Sequence, residues 1–345
     1  MRIGLDATYS IGRNLSGVGV YSRELMHGLA RQFPEDRFRY YYRPHRLLKS
    51  FRESVPANAS RRLLIGVPHG DVFHALNQRV DSTSGETRVV STFHDLFVMT
   101  GEYSSPEFRA RFTEQARQAA ERSHIIIAVS RFTAGQVENL LGVDPSRIHV
   151  VPHGVHTPLA PATSRENIVL FAGVIQKRKN IARLVQAFEQ MPAGWRMILA
   201  GATAGFGARE ELQALEASPR RSSIELRGHV SRAELDALYG RARIFAFPSL
   251  DEGFGMPVLE AMAHGLPVIT SNISAMPEVA GSAALLVNPF QVDEIAFALQ
   301  RLAHDENLRA ELAAQGRKRA AEFPWQKTVE RTHSVYEAVC KPRAT

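Results

Sequence analysis

Short apolar runs alternate with amphipathic stretches along this 345-residue chain, and the rhythm is completed twice. In the first half "RIGLDAT", "DVFHAL", "RVVSTFHDL", "HIIIAVS" and "RIHVVPHGV" read as strands; in the second, "IVLFAGV", "RMILAG", "SIELRGHV", "IFAFPS" and "LPVITS". Helical segments lie between them, among them "VYSRELMHGLARQF", with Leu25 and Leu29 one turn apart, and the stretch from Asn180 to Gln190. Such alternation implies parallel sheets covered by helices on both faces. The chain is also too long for a single compact core. The expected architecture is α/β, with two doubly wound, Rossmann-like domains facing one another across a cleft. The polar stretch "HTPLAPATSREN" is the expected linker, which gives domains at 1–157 and 158–322 and a closing helical segment at 323–345.

Composition narrows the class. With 44% apolar and 22% charged residues the chain reads as globular. No apolar run reaches the ~18 residues that a membrane-spanning helix needs. The opening "MRIGLDATYS" lacks the charged-then-apolar layout of a signal peptide, so a cytoplasmic location is expected. The single cysteine, Cys340, has no partner for an internal disulfide and no metal-ligating neighbours in sequence. The net charge of +7 is uneven: residues 1–160 hold 20 Lys/Arg against 15 Asp/Glu. Residues 31–62 alone carry nine basic and three acidic residues, interleaved with aromatics. Two readings of that stretch stand, a solvated helix and edge strand or a peripheral contact with an anionic membrane. No nucleic-acid module accompanies it.

The stretch "FAFPSLDEGFGMPVLEAMAHGLPVITS", residues 245–271, carries the densest chemistry. It reads as strand, loop, helix and strand, with Pro257 in the first turn of the helix and Gly265 at its end. In parallel sheets a ligand sits beyond the carboxyl ends of the strands, at loops entering helices. Gly253 and Gly255 let backbone approach a ligand, and the free N–H groups at the helix start favour an anion. Glu252 and Glu260 would repel a shared phosphate. They fit hydroxyls on either side of it, one set on a sugar and one on a ribose, and a ligand of that order is a nucleotide sugar. Taken singly, Glu252 also reads as a helix cap and Glu260 as a solvated helix residue. In "QKRKN", Arg178 and Lys179 stand at a helix entrance, where charge-assisted bonds to phosphate are strong.

The segment "EGFGMPVLEA" resembles the Glu-x7-Glu motif of the family 4 retaining glycosyltransferases of GT-B fold. The likeness extends over nearly the whole chain, through "SGVGVYSREL", "FHDL", "SRFT", "IHVVPHGV", "FAGVIQKRKNIARLVQAF", "LRGHVSRAELDALY" and "FPWQKTVERTHSVYEAV". The style of "SGVG" and "FHDL" resembles bacterial enzymes of surface-polysaccharide assembly, many of which use GDP-mannose. The resemblance implies an acceptor-binding first domain and a donor-binding second domain. It implies Glu252, His94, Arg178 and Lys179 as catalytic residues. The donor would be held by Gly17, Gly19, Arg178, Lys179, Gly228, His229, Val230, Glu252, Gly253, Phe254, Gly255, Met256, Val258, Leu259 and Glu260. Relatives often carry a basic residue five positions before the lysine, where this chain has Val174. No Asp-x-Asp pair occurs in the sequence, in keeping with the metal-independent chemistry that the resemblance implies, and no cofactor is expected. Trp325 and Tyr336 read as core packing of the last helix.

Transfer of a hexose to a glycan or lipid-linked sugar hydroxyl is the expected activity. A nicotinamide oxidoreductase would need a complete Gly-x-Gly-x-x-Gly, and "SGVGVY" lacks the third glycine. A donor hydrolase, a phosphorylase-like enzyme or a non-catalytic nucleotide-sugar binder stand as the alternatives.

Overall fold

The computed structural model describes every residue except Arg13, Asn14, Val67, Ser84, 159–163 and 342–345. The expected linker, 156–167, therefore lies partly outside the described residues. By compactness the chain divides into two units. One comprises Met1–Thr100, Ser105–Gly154 and Pro324–Thr345; the other comprises Gly101–Ser104 and Val155–Phe323.

The first unit is built on seven strands: β1 (Arg2–Asp6), β2 (Arg37–Tyr42), β3 (Ala59–Leu63), β4 (Val72–Ala75), β5 (Arg88–Phe93), β6 (Ile125–Ala128) and β7 (Ile148–Val150). They lie in the order β3-β2-β1-β4-β5-β6-β7, every neighbouring pair parallel. The second has six: β8 (Ile168–Ala172), β9 (Arg196–Ala200), β10 (Ile224–Gly228), β11 (Ile244–Phe247), β12 (Val268–Ser271) and β13 (Leu285–Val287). Their order, β10-β9-β8-β11-β12-β13, is again parallel throughout. Both sheets step outward from their first strand and then reverse, which is the doubly wound order. The reversal falls between β1 and β4 in one unit and between β8 and β11 in the other.

Strands buried on both faces need continuous apolar runs, and the central ones have them: "IVLFA" in β8 and "IFAF" in β11 are buried at every position. All ten strands expected from the sequence are present. β2, β3 and β13 complete the sheets. The helices begin where short polar side chains satisfy their first N–H groups, as with Ser16, Ser105, Ser130 and the Ser231–Glu234 capping box. The last helix, Trp325–Cys340, packs in the first unit, where its Tyr336 is fully buried and Val329 meets Gly28 of the helix Gly17–Gln32. Among the described residues no helix is long and apolar enough to cross a membrane.

The first helix corrects one expectation. The sequence pattern starts this helix at Val20, but Gly17–Gln32 is helical, and Ser16 accepts from the Gly19 N–H at 3.3 Å. A side chain at Gly19 would meet the Tyr9 carbonyl oxygen at 2.8 Å, so close backbone packing requires this glycine.

Candidate functional site

Two loops leave the second sheet at its reversal, one after β8 and one after β11. The first closes in a short 3-10 turn, Lys177–Lys179, and Asn180 follows it in the left-handed region at φ 61°. Asparagine tolerates that conformation, and its amide donates to the Pro248 and Pro289 carbonyls at 3.0 and 2.7 Å. The Leu250 N–H donates to the Arg178 carbonyl at 2.7 Å, which ties the two loops together. The result joins three residues from distant parts of the sequence. Arg178 Nη1 lies 2.8 Å from Glu252 Oε2, and Lys179 Nζ binds Glu252 Oε1. All three side chains are nearly buried. Burial alone would push the Glu252 carboxyl up; the two cations outweigh it and hold the group at about 2.

The Glu252 carboxylate thus engages two cations, and the cap position of the helix Met256–Ala263 is Gly255, which offers no side-chain bond. Gly255 stands at that cap with φ 90°, a conformation that strains any residue with a Cβ. Gly255→Ala is expected to cost roughly 1–3 kcal/mol, read as a lowered denaturation midpoint; an unchanged midpoint contradicts that strain. Gly253 and Phe254 are buried, Phe254 edge-on to Phe323. Met256 is half-buried, while the Val258 and Leu259 side chains are fully buried in the core, which leaves only their backbone for a ligand.

Glu260 forms a separate cluster on the same helix. Arg232 Nη1 binds its Oε1, and the Tyr239 hydroxyl donates to its Oε2 at 3.1 Å. The Glu260 side chain is 17% exposed, so it is not the freely solvated residue that the sequence also allowed. Gly228 ends β10 at φ 64°, His229 beside it is exposed and Val230 is half-buried.

His94 follows β5 in the first unit. Its Nε2 lies 2.8 Å from the Leu76 carbonyl, which only accepts, so Nε2 carries the proton. Nδ1 faces His153 Nε2 at 3.3 Å, and the rings stack with centroids 5.2 Å apart. Tyr21 meets both rings edge-on at 4.8 Å. Nearby, the His74 Nε2 and the Tyr21 hydroxyl share Thr92 Oγ1 at 2.8 and 2.9 Å, and His74 Nδ1 meets the Tyr336 hydroxyl at 2.6 Å.

Burial lowers His94 to about 4 and His74 to about 3, and holds His153 well below its ordinary value. All three are neutral at pH 7. Because their folded values are depressed, the unfolded chain takes up protons first as the solution is acidified. Their contribution to stability is complete above about pH 6.5. It is lost as pH falls through about 4 for His94 and about 3 for His74. Denaturation midpoints are expected to drop steadily from pH 7 to pH 4; a flat profile there contradicts this.

The sequence reading did not single out Gln176, Arg232, Tyr239 or His153. With its amide turned so that the oxygen accepts, Gln176 takes Arg178 Nε and Nη2 at 3.0 and 3.1 Å. Arg232 and Tyr239 lie within "LRGHVSRAELDALY", but only strand order reveals that they reach Glu260.

Comparison with known proteins covers most of the chain. Residues 160–319 match the family described as "Glycosyl transferases group 1", and residues 15–158 match "Glycosyltransferase Family 4". The chain is 30% identical to the Escherichia coli O-antigen chain mannosyltransferase B over 72% of this chain and 70% of that protein. It is 33% identical to the MMP alpha-(1->4)-mannosyltransferase of Mycolicibacterium hassiacum over 66% of this chain and 57% of that one. Among solved structures, sucrose-phosphate synthase from Thermosynechococcus elongatus superposes with a TM-score of 0.79 at 20% identity, covering 98% of this chain and 99% of that one. Anabaena HepE in complex with UDP and glucose gives 0.73 at 15% identity, covering 98% and 100%.

Proposed function

The chain belongs to the family 4 retaining glycosyltransferases of GT-B fold, and from that premise we propose that it moves mannose from GDP-mannose to a hydroxyl of a glycan or lipid-linked saccharide. The observation that carries the reading is the meeting of Arg178, Lys179 and Glu252 at the reversal point of the second sheet, where a doubly wound fold takes its ligand. The names of the mannosyltransferase relatives support the sugar.

In this reading Arg178 and Lys179 turn to the donor diphosphate and stabilise its charge as it leaves. Glu252, released from them, accepts hydroxyls of the transferred sugar. Glu260 accepts the ribose hydroxyls, and the backbone at Gly228, His229 and Val230 borders the base. The bond from the anomeric carbon to the diphosphate oxygen breaks. The acceptor oxygen attacks from the same face and passes its proton to the departing diphosphate, so the anomeric configuration is kept. Glu252 is not a nucleophile on this route. Two cations suffice for the diphosphate without a metal. His94, with one nitrogen on Leu76 and the other on His153, is a neutral ring in the first unit. The test is to incubate the protein with GDP-mannose and mannosylated acceptors and read the product's anomeric configuration. A new α-mannosyl linkage is expected. Inversion, or release of free mannose alone, overturns the reading, and free mannose would favour the hydrolase alternative.

The first unit would meet the acceptor, and its surface favours one held at an anionic membrane. The tyrosines of the basic stretch are not part of that surface: Tyr40, Tyr41 and Tyr42 are buried. What remains outside is an apolar and basic face. Leu48 is 82% exposed and Phe51 65%, beside the exposed Lys49 and Arg52, with Arg61 over the Phe51 ring at 5.1 Å. Leu48→Asp with Phe51→Asp is expected to lower affinity for vesicles of anionic lipid by about tenfold or more, measured by co-sedimentation, with transfer to soluble acceptors unchanged. Equal vesicle binding by the double variant contradicts the membrane contact.

A further inference from the structure

We infer that Tyr239 and Arg232 are positioning residues that aim the Glu260 carboxylate at the ribose of the donor; the inference rests on the proposed role of Glu260. Each oxygen of Glu260 receives one donor from the protein, Oε1 from Arg232 and Oε2 from the Tyr239 hydroxyl at 3.1 Å. A carboxylate oxygen accepts two bonds, so each keeps one acceptor position. Pinned at both ends, the group cannot rotate, and the remaining positions form a fixed pair that suits two adjacent hydroxyls.

The two donors are themselves held. Tyr239 is fully buried between Phe245, with ring centroids 5.7 Å apart, and His264, at 5.0 Å. Burial, and then the negative charge of Glu260, hold its hydroxyl protonated, so it donates. Arg232 opens the helix Arg232–Arg241 and is clamped by Asp236 one turn on, through Nε at 3.1 Å and Nη2 at 2.9 Å. His264 Nδ1 meets the Glu260 backbone carbonyl at 2.8 Å and ties the far end of the carboxylate's own helix to the same cluster. A buried tyrosine and a clamped arginine from one helix thus fix a glutamate on another. This arrangement exceeds what helix packing needs, since an apolar residue at 239 would fill the same space.

The test separates aim from fold by using paired ligands. Wild-type protein, Glu260→Ala, Tyr239→Phe and Arg232→Met are titrated calorimetrically with GDP and with 2′,3′-dideoxy-GDP, and with the corresponding UDP pair. Wild-type protein is expected to prefer the ribose form by about tenfold or more. Tyr239→Phe, which keeps the packing, is expected to shrink that preference several-fold by weakening the ribose form alone, with dideoxy binding unchanged. Arg232→Met is expected to act in the same direction. If Glu260→Ala abolishes the preference while Tyr239→Phe and Arg232→Met retain it in full, the positioning role is wrong and the ribose role stands. If Glu260→Ala leaves the preference intact, or no nucleotide binds the wild-type protein, the reading of Glu260 itself falls and the inference falls with it.

Discussion

Glu252→Gln is expected to separate binding from turnover. The Glu252 carboxylate engages the same two cations that the proposed donor diphosphate requires. A neutral amide holds Arg178 and Lys179 less firmly, so nucleoside diphosphate affinity should stay equal or rise. Transfer should fall by about 100-fold or more, the scale of losing one charged group that acts in the transition state. The loss belongs in kcat, since binding of the nucleotide is preserved. Calorimetry with GDP and a product assay on the same preparation read both quantities. A variant that loses GDP affinity in step with activity would contradict the competition between Glu252 and the diphosphate.

Lys179→Met carries the second large effect, on stability as well as turnover. The lysine ammonium is nearly buried, bonded to Glu252 and set 4.5 Å from the Phe247 ring centroid. Removing it leaves Glu252 to Arg178 alone, and losing one charge-assisted bond to a nearly buried carboxylate costs about 1.5–3 kcal/mol. Lys179→Met combined with Glu252→Gln should recover much of that loss without recovering transfer. Acid provides a cross-check. The Glu252 value in the folded chain, about 2, lies below the ordinary 4.5. Its stabilising contribution is therefore complete above about pH 4.5 and disappears as pH falls toward 2, worth roughly 3 kcal/mol across that window. The double variant should lack this part of the acid transition. Denaturation midpoints for the four proteins at pH 7, pH 4 and pH 2 decide it; a double variant as unstable as the single one would show that the pair is not the source.

Strands such as β8 and β11 are legible because burial on both faces demands unbroken apolar sequence. β2 is harder to read, since "RFRYYY" mixes arginines with tyrosines whose rings turn inward. β3 is a polar edge strand and β13 only three residues long, and edges carry little apolar signal. The start of the first helix is hard to read because two glycines weaken helix propensity, yet Ser16 capping and the packing of Gly19 on Tyr9 outweigh that.

At the site, sequence picks out Arg178, Lys179 and Glu252 as types suited to a nucleotide sugar. Their direct pairing across 73 residues follows only from the strand order that brings the loops after β8 and β11 together. The same holds for Tyr239 and Glu260, and for His94 and His153. Such partners are set by which strands lie side by side, and no local pattern records that.

The central claim, a nucleotide diphosphate sugar held by this site, is tested most directly by donor binding. Purified protein would be titrated calorimetrically with GDP, UDP and ADP and their common sugar conjugates, with and without a chelator. The account predicts micromolar binding of one base, GDP first, unaffected by the chelator and strongly weakened by Arg178→Ala and Glu260→Ala. Folded protein that binds none of them, or binds equally well without Arg178 and Glu260, would contradict it.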